Sequence, residues 1–291
     1  MTEILHVIPL IPKTINKLKT FHFCELPGAF INAIKYFIMS ETQISNTKQD
    51  WKWTAESLNP NQMSKEDARN AFGDEANMLK KYPDNYDFGP KMTGDITDPK
   101  NLKYYFKHYP DNDLVTNDGG LAGNQHELGH ILGFSIYLSV FGCTKVGGNA
   151  IIKRYFPISN NQELYMLYLW HSLFGETIAY KPRVNYQSEE FYLIGLGYKG
   201  IDDELLNNLL NFLTNYKQVG FSKDIPDSFL LQANQMQHKL LDNFNKMIRK
   251  KIFFVDTFKK LSKEDWNNID EAIQDKINEW FDKVPIKTIK Y

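Results

Sequence analysis

Phe23-Cys24-Glu25-Leu26-Pro27-Gly28-Ala29-Phe30 reads as a strand running into a tight turn and out into a helix. Thr20 to Cys24 alternates β-favouring, aromatic and apolar side chains, in the manner of a short buried strand. Pro27-Gly28 is a turn pair, and from Ala29 to Met39 apolar residues recur at helical spacing. A glycine here lets a ligand approach the backbone closely, and the helix behind it presents free N–H groups and a positive dipole end. Glu25, just ahead of the glycine, suits a ligand with hydroxyls or a positive charge better than one with phosphates. Strand, acid, glycine turn and helix open a nucleoside-binding α/β unit. Many βα turns carry Pro-Gly for geometry alone, so the rest of the chain has to decide.

The chain has 291 residues, 42% hydrophobic and 24% charged, enough for one large domain or two modest ones. A net charge of −1 gives no global basic field, so a polyanion would have to be held by a local patch. Cys24 and Cys143 are the two cysteines, both in apolar, strand-like surroundings. That argues against a disulfide scaffold or a cysteine zinc site, and for a reducing, intracellular compartment, cytoplasm or nucleus. The N-terminal apolar stretch is interrupted by Glu3 and His6 and lacks a basic lead, unlike a signal peptide. No run of about 18 apolar residues predicts a membrane span.

Further strands are expected at Trp51–Leu58, Asp113–Asn117, Gly148–Tyr155, Thr177–Tyr180 and Glu190–Gly197. Helices are expected at Lys100–His108, Gln125–Phe141 and Leu164–Phe174, with a short one at Lys65–Ala71 in a polar excursion over residues 61–100. Strands alternating with helices predict an α/β, Rossmann-like, mostly parallel sheet, with an antiparallel hairpin formed by the last two strands. From Ile201 the pattern is helical only: Leu205–Tyr216, Ser228–Phe244 and Lys263–Phe281. The division expected is a Rossmann-like domain over residues 1–200 and an α-helical extension over 201–291 packing on it.

Glu25–Gly28, Gly94-Asp95, Asp118 and Lys153 fall near strand ends, where open α/β sheets place ligands, and Glu190 opens the last strand. Lys153 interrupts an otherwise apolar strand, so it either lies on a cleft or is paired with a carboxylate. An Asp, a Lys and a Glu converging there have the means to hold a hydroxyl and deprotonate it as it attacks an electrophile.

CELPGAF, TGDIT, LVTNDGG, GGNAIIKRY and SEEFYLIG occur in this order over Phe21 to Gly197. The set resembles the FtsJ-like, S-adenosylmethionine-dependent ribose 2′-O-methyltransferases, and most of all their cap-specific mRNA branch, with its Trp-x-Trp strand running into Leu-Asn-Pro. The resemblance implies S-adenosyl-L-methionine as cofactor, held by Glu25, Leu26, Pro27, Gly28, Ala29 and Phe30, with Asp95 beside the adenine and Asp118 nearby. It implies Asp118, Lys153 and Glu190 as three of a Lys-Asp-Lys-Glu tetrad, with Lys153 lowered in pKa by burial so as to deprotonate the 2′-hydroxyl. The implied substrate is RNA, capped mRNA above all, rather than DNA or a membrane, and a capping-machinery partner goes with it. The family's first lysine has no counterpart at its usual place, the nearest lysines being Lys13, Lys17 and Lys19. Either one of these substitutes or the tetrad is incomplete, in which case the chain is an inactive subunit that binds RNA or a partner.

His126-Glu127-Leu128-Gly129-His130 is a full H-E-x-x-H, a pattern that binds zinc when both histidines share a helix face. The position of a third metzincin histidine is Ile136, so no metal is expected, and the alternative to a zinc protease is a surface helix. Lys181-Pro182-Arg183 is a candidate phosphate grip or a solvated loop.

Overall fold

The computed structural model describes residues 1–44, 50–62, 73–120, 126–158, 160–183, 188–216, 224–257 and 261–284, with the backbone alone at 126–127 and 253–257. The expected helix at Lys65–Ala71 lies outside the described residues. A six-stranded sheet runs in the order β2-β1-β3-β4-β6-β5, from β1 (Leu18–Phe23), β2 (Trp51–Ala55), β3 (Asn112–Asn117), β4 (Thr144–Tyr155), β5 (Phe174–Tyr180) and β6 (Glu190–Tyr198). The first four are mutually parallel, while β6 runs antiparallel to both β4 and β5. The mostly parallel Rossmann-like sheet and its antiparallel end are therefore as expected.

One face of the sheet is covered by α1 (Thr2–Val7) and α2 (Ala29–Glu41), whose Ile4, Phe30, Ile34 and Phe37 pack with Ile151 and Ile194. The other carries α4 (Pro99–His108), α5 (His126–Cys143), α6 (Asn161–Leu173), α7 (Asp203–Thr214) and the first half of α8 (Asp227–Thr257). A one-turn α3 (Met78–Lys81) and a 3-10 turn (Pro83–Asn85) sit beside β2, and α9 (Lys263–Lys283) ends the chain. Leu209, Leu213, Phe229 and Leu240 join the same apolar cluster as Phe134 and Met166, so α7 and α8 are packed onto the sheet layer. Cys143 closes α5 rather than lying in a strand, and its burial among apolar groups pushes its thiol up.

α8 runs 13 residues beyond the expected end at Phe244, straight through Lys246, Arg249, Lys250 and Lys251. Long basic side chains are good helix formers, and most of this run is exposed. α9 buries none of its residues, yet Glu279 pairs with Arg183 at 3.7 Å and Trp280 reaches α1. Glu3 of α1 accepts from Tyr180 Oη at 2.6 Å, the Arg183 N–H at 3.1 Å and Trp280 Nε1 at 3.2 Å.

The centre of the sheet carries a polar row. His22 is fully buried on β1, bonded to Thr20 Oγ1 at 2.7 Å along its own strand and to Thr116 Oγ1 at 2.8 Å on β3. Trp51 Nε1 of β2 donates to the same Thr20 hydroxyl at 3.1 Å. Burial holds the imidazole neutral, its pKa lowered to about 3.

Candidate active site

Chain order reverses between β1 and β3, which makes the crevice beyond their C-terminal ends the place where such sheets take ligands. Into it run the Cys24–Gly28 turn after β1, Asp118 after β3, and Lys153 near the end of β4.

Gly28 caps α2 at φ +99°, and a Cβ there would come within 2.6 Å of Met78 Cγ, so the turn tolerates only glycine. Glu25 is buried, and its Oε1 accepts the N–H groups of Phe30 at 2.7 Å and Ile31 at 3.0 Å. This acid therefore caps the helix with one oxygen, while Oε2 is buried without a hydrogen-bond partner. Burial, reinforced by Asp118, raises its pKa to about 8. The Leu26 and Phe30 side chains are core, so a ligand would meet those residues through their main chain; Ala29 is exposed.

The sequence reading missed Glu56. It follows β2, is fully buried, and its Oε2 accepts the Cys24 N–H at 3.2 Å, holding Cys24 at φ +55°. Its Oε1 is buried and unpartnered. Burial drives its pKa well up, with Asp95 and Asp87 adding to the rise. Gly94 packs so tightly here that a Cβ would fall 1.7 Å from the Ser57 carbonyl oxygen, and its φ of +65° suits glycine. The next residue, Asp95, is thereby set beside Glu56, with its Oδ1 accepting from Thr97 N and Oγ1 at 2.8 and 2.7 Å. Asp87 ties the approach to this loop together, accepting from Tyr104 and Tyr109 hydroxyls at 3.0 and 2.6 Å.

On the other side of Cys24 lies the charged cluster. Lys153 Nζ is 3.1 Å from Asp118 Oδ1. Lys153 pairs with Tyr192 and Tyr155 with Glu190 across β4 and β6, so all four side chains share a face. Tyr192 Oη donates to Glu190 Oε1 at 2.6 Å, and the Tyr192 ring lies 5.8 Å from that of Phe30, linking the cluster to the turn. Gly120 makes room for it: a Cβ would sit 3.2 Å from Lys153 Cε and 2.6 Å from Tyr155 Oη. The structure thus brings Asp118, Lys153 and Glu190 together, and adds Tyr192 and Tyr155, which the sequence reading did not single out.

The electrostatics differ from expectation in sign. Burial alone would lower Lys153, but Asp118, Tyr155 and Glu190 outweigh it, and the ammonium is held above its ordinary value. Asp118 is raised by burial, with Lys153 opposing. None of the three nearest upstream lysines reaches the cluster. Lys13 pairs with Glu41 at 3.0 Å. Lys17 and Lys19 flank the start of β1, about 16 Å along the strand from its C-terminal end.

The H-E-x-x-H segment does lie on α5, with the side chains of His126 and Glu127 outside the described residues. His130 Nδ1 is bonded to Asn160 Nδ2 at 2.9 Å, and a Cβ on Gly133 would lie 3.0 Å from Arg154 Nη2. Arg154 itself is buried against Glu163 and the Tyr137 ring. Among the described residues no group of three His, Cys, Asp or Glu is placed to hold a metal, and no helix is long and apolar enough to cross a membrane. Lys181 turns inward to the Ser188 carbonyl at 2.6 Å and that of Glu190, and so braces the start of β6.

Two unpartnered buried carboxyl oxygens beside a glycine turn suit a ligand that brings hydroxyls, or a positive charge that would draw the acids into ionising. S-adenosylmethionine, with its ammonium, ribose hydroxyls and sulfonium, fits that donor set.

No protein-family model matches the chain. It is 29% identical to an uncharacterized protein, L511, of Acanthamoeba polyphaga mimivirus, over 97% of this chain and 36% of that one. The cap-specific mRNA (nucleoside-2'-O-)-methyltransferase 2 of Pongo abelii is 30% identical over 78% of this chain and 31% of its own length. The protein of the same name from Drosophila melanogaster is 27% identical over 79% and 35%. The chain spans about a third of the length of these curated relatives. With the ordered motifs and the Rossmann-like sheet that carries them, the chain is homologous over about 78% of its length to proteins named as cap-specific mRNA (nucleoside-2'-O-)-methyltransferase 2.

Proposed function

We propose that the chain transfers a methyl group to a ribose 2′-hydroxyl of RNA, at a cap-proximal nucleotide of mRNA. The Lys153–Asp118 contact of 3.1 Å, in the crevice beside the Cys24–Gly28 turn, is the observation that carries this reading. S-adenosylmethionine, when bound, supplies an already activated methyl. Glu25 and the main chain of the turn would hold its amino-acid end, and Glu56 and Asp95 its nucleoside end.

The chain's own contribution is alignment and charge. The Lys153 ammonium donates to the 2′-oxygen, orients it, and stabilises the negative charge that develops there. Asp118, beside the same ammonium and raised by burial, takes the proton as the O–H bond breaks. Glu190 and Tyr192 fix the far side of Lys153. This division gives Lys153 the role of a charged positioning and stabilising group, in place of the lowered-pKa base that the family resemblance implies. Residues 201–291 act in this reading as a helical extension braced on the methyltransferase unit of residues 1–200.

The test is methyl transfer from labelled S-adenosylmethionine to capped RNA by wild type and by Lys153→Ala. Transfer by wild type at the ribose, lost in the variant while the cofactor still binds, supports the reading. Absence of transfer by wild type on capped and uncapped RNA alike sinks it.

A further inference from the structure

A groove of 460 Å³ opens beside β2, the edge strand, between α2 and the Met78–Asn85 segment. It shares no residue with the Lys153 cluster, although its Met78 wall also abuts Gly28. Trp53, half-buried, lines it among three other rings: Trp51 at 6.2 Å and 33°, Tyr82 at 5.4 Å and 76°, Tyr86 at 6.2 Å and 89°. Its partial exposure leaves part of the indole open to the groove. Lys35 from α2 and Lys52 from β2 also line the groove, and neither is paired with a carboxylate among the described residues. Asp84 stands exposed at its mouth.

We infer that this groove is a nucleotide-binding site, with the base laid on Trp53 and the phosphate held by Lys35 and Lys52. An aromatic face next to unpaired cations is the combination that takes a stacked base and its phosphate together. The volume lies within the range of ligand sites, which run from about 300 to 1,000 Å³. An apolar peptide would leave two ammonium groups unanswered, and a free phosphate would leave the rings idle. Asp84 offers an acceptor to a base with an amino group, so guanine, which presents two N–H groups on one edge, is favoured over uracil. Two sources share this chemistry, a nucleotide of an RNA chain and a free nucleotide. The inference extends the RNA reading without resting on it.

The test uses the whole chain with saturating S-adenosylhomocysteine, so that the cofactor site is filled. The probes are a short fluorescein-labelled single-stranded RNA, followed by anisotropy, and GTP, followed by tryptophan quenching. Lys35→Glu with Lys52→Glu is expected to weaken binding by about 10-fold or more and to flatten the dependence of log K on log salt by about 1.4 for the RNA. Trp53→Leu is expected to weaken it by a similar factor and to abolish the quenching. Weakening with RNA alone assigns the site to a chain, and weakening with GTP assigns it to a free nucleotide. Unchanged affinity for both probes in the double lysine variant, with its circular dichroism intact, overturns the inference, and this variant decides even if Trp53→Leu fails to fold. Failure of methyl transfer in the earlier assay leaves this measurement standing.

Discussion

Glu56 Oε2 lies 3.2 Å from the main-chain nitrogen of Cys24 and holds that residue in the left-handed region at φ +55°. The strained turn and the acid that restrains it are thus one unit. Glu56→Ala is expected to cost about 1–3 kcal/mol of stability, because the Cys24 N–H loses its buried acceptor. Glu56→Gln should keep the fold but weaken S-adenosylhomocysteine binding by about 10-fold or more, since an oxygen able to accept is replaced by an NH2 group that only donates. Urea unfolding and calorimetric titration measure the two effects. Unaltered affinity in the Gln variant would remove Glu56 from the cofactor site.

Lys153→Ala and Asp118→Asn should each lower turnover by about 10²–10⁴-fold, the usual worth of a positioned proton-transfer group. Binding of S-adenosylhomocysteine should change little in either. Asp118→Asn also removes the nearest carboxylate that holds the Lys153 ammonium up, so the alkaline limb of the pH–rate profile should move to lower pH. A profile that stays put would separate the two residues functionally.

Stability should depend on pH with two opposing slopes. Glu25 has a folded-state pKa of about 8, above its ordinary 4.5, so the folded form binds its proton more tightly. Its contribution is complete below about pH 4.5 and is lost as pH rises through 8. His22, lowered to about 3 from 6.5, works in the other direction: its contribution is present above 6.5 and is lost as pH falls towards 3. Urea midpoints taken across this range should show the alkaline slope flattened in Glu25→Gln. An unchanged slope in that variant would assign it to another group.

Glu3 collects donors from β5, the loop after it and α9, so Glu3→Ala should release the last helix. Faster deuterium exchange across Lys263–Lys283 is expected, with exchange in β1 and β3 unchanged, together with a loss of about 1–3 kcal/mol. Uniform acceleration across the chain would indicate global destabilisation instead.

The turn, the parallel strands and the converging Asp118, Lys153 and Glu190 were legible because each leaves a local mark: Pro-Gly, alternation, a charge inside an apolar strand. Glu56 left none. It closes a strand of ordinary look, and its burial arises only when the Gly94 loop folds over Ser57. The pKa direction of Lys153 was equally invisible, since it depends on whether burial or three facing groups prevail, a matter of ångströms. His130 and Gly133 also serve the packing of their own helix, one through its tie to Asn160 and the other through the gap it leaves for Arg154. The length of α8 was legible in part, since Met247, Ile248, Ile252 and Val255 continue the helical spacing of Phe244 through the basic run.

The hydrogen-bonded row from Trp51 through Thr20 and His22 to Thr116 has a consequence at a distance. Sliding β1 by two residues against β3 would return every apolar side chain to its own face, so hydrophobic burial hardly resists such a shift. The row does resist it, because a displaced His22 would keep Thr20 but lose Thr116, leaving one ring nitrogen unpaired in the sheet interior. It acts as a vernier: by fixing His22 opposite Thr116 it sets Phe23 opposite Asn117, and so the spacing between the Cys24 turn and Asp118 one residue further on. The tolerance of the crevice is machined in the middle of the sheet, by residues no substrate will touch.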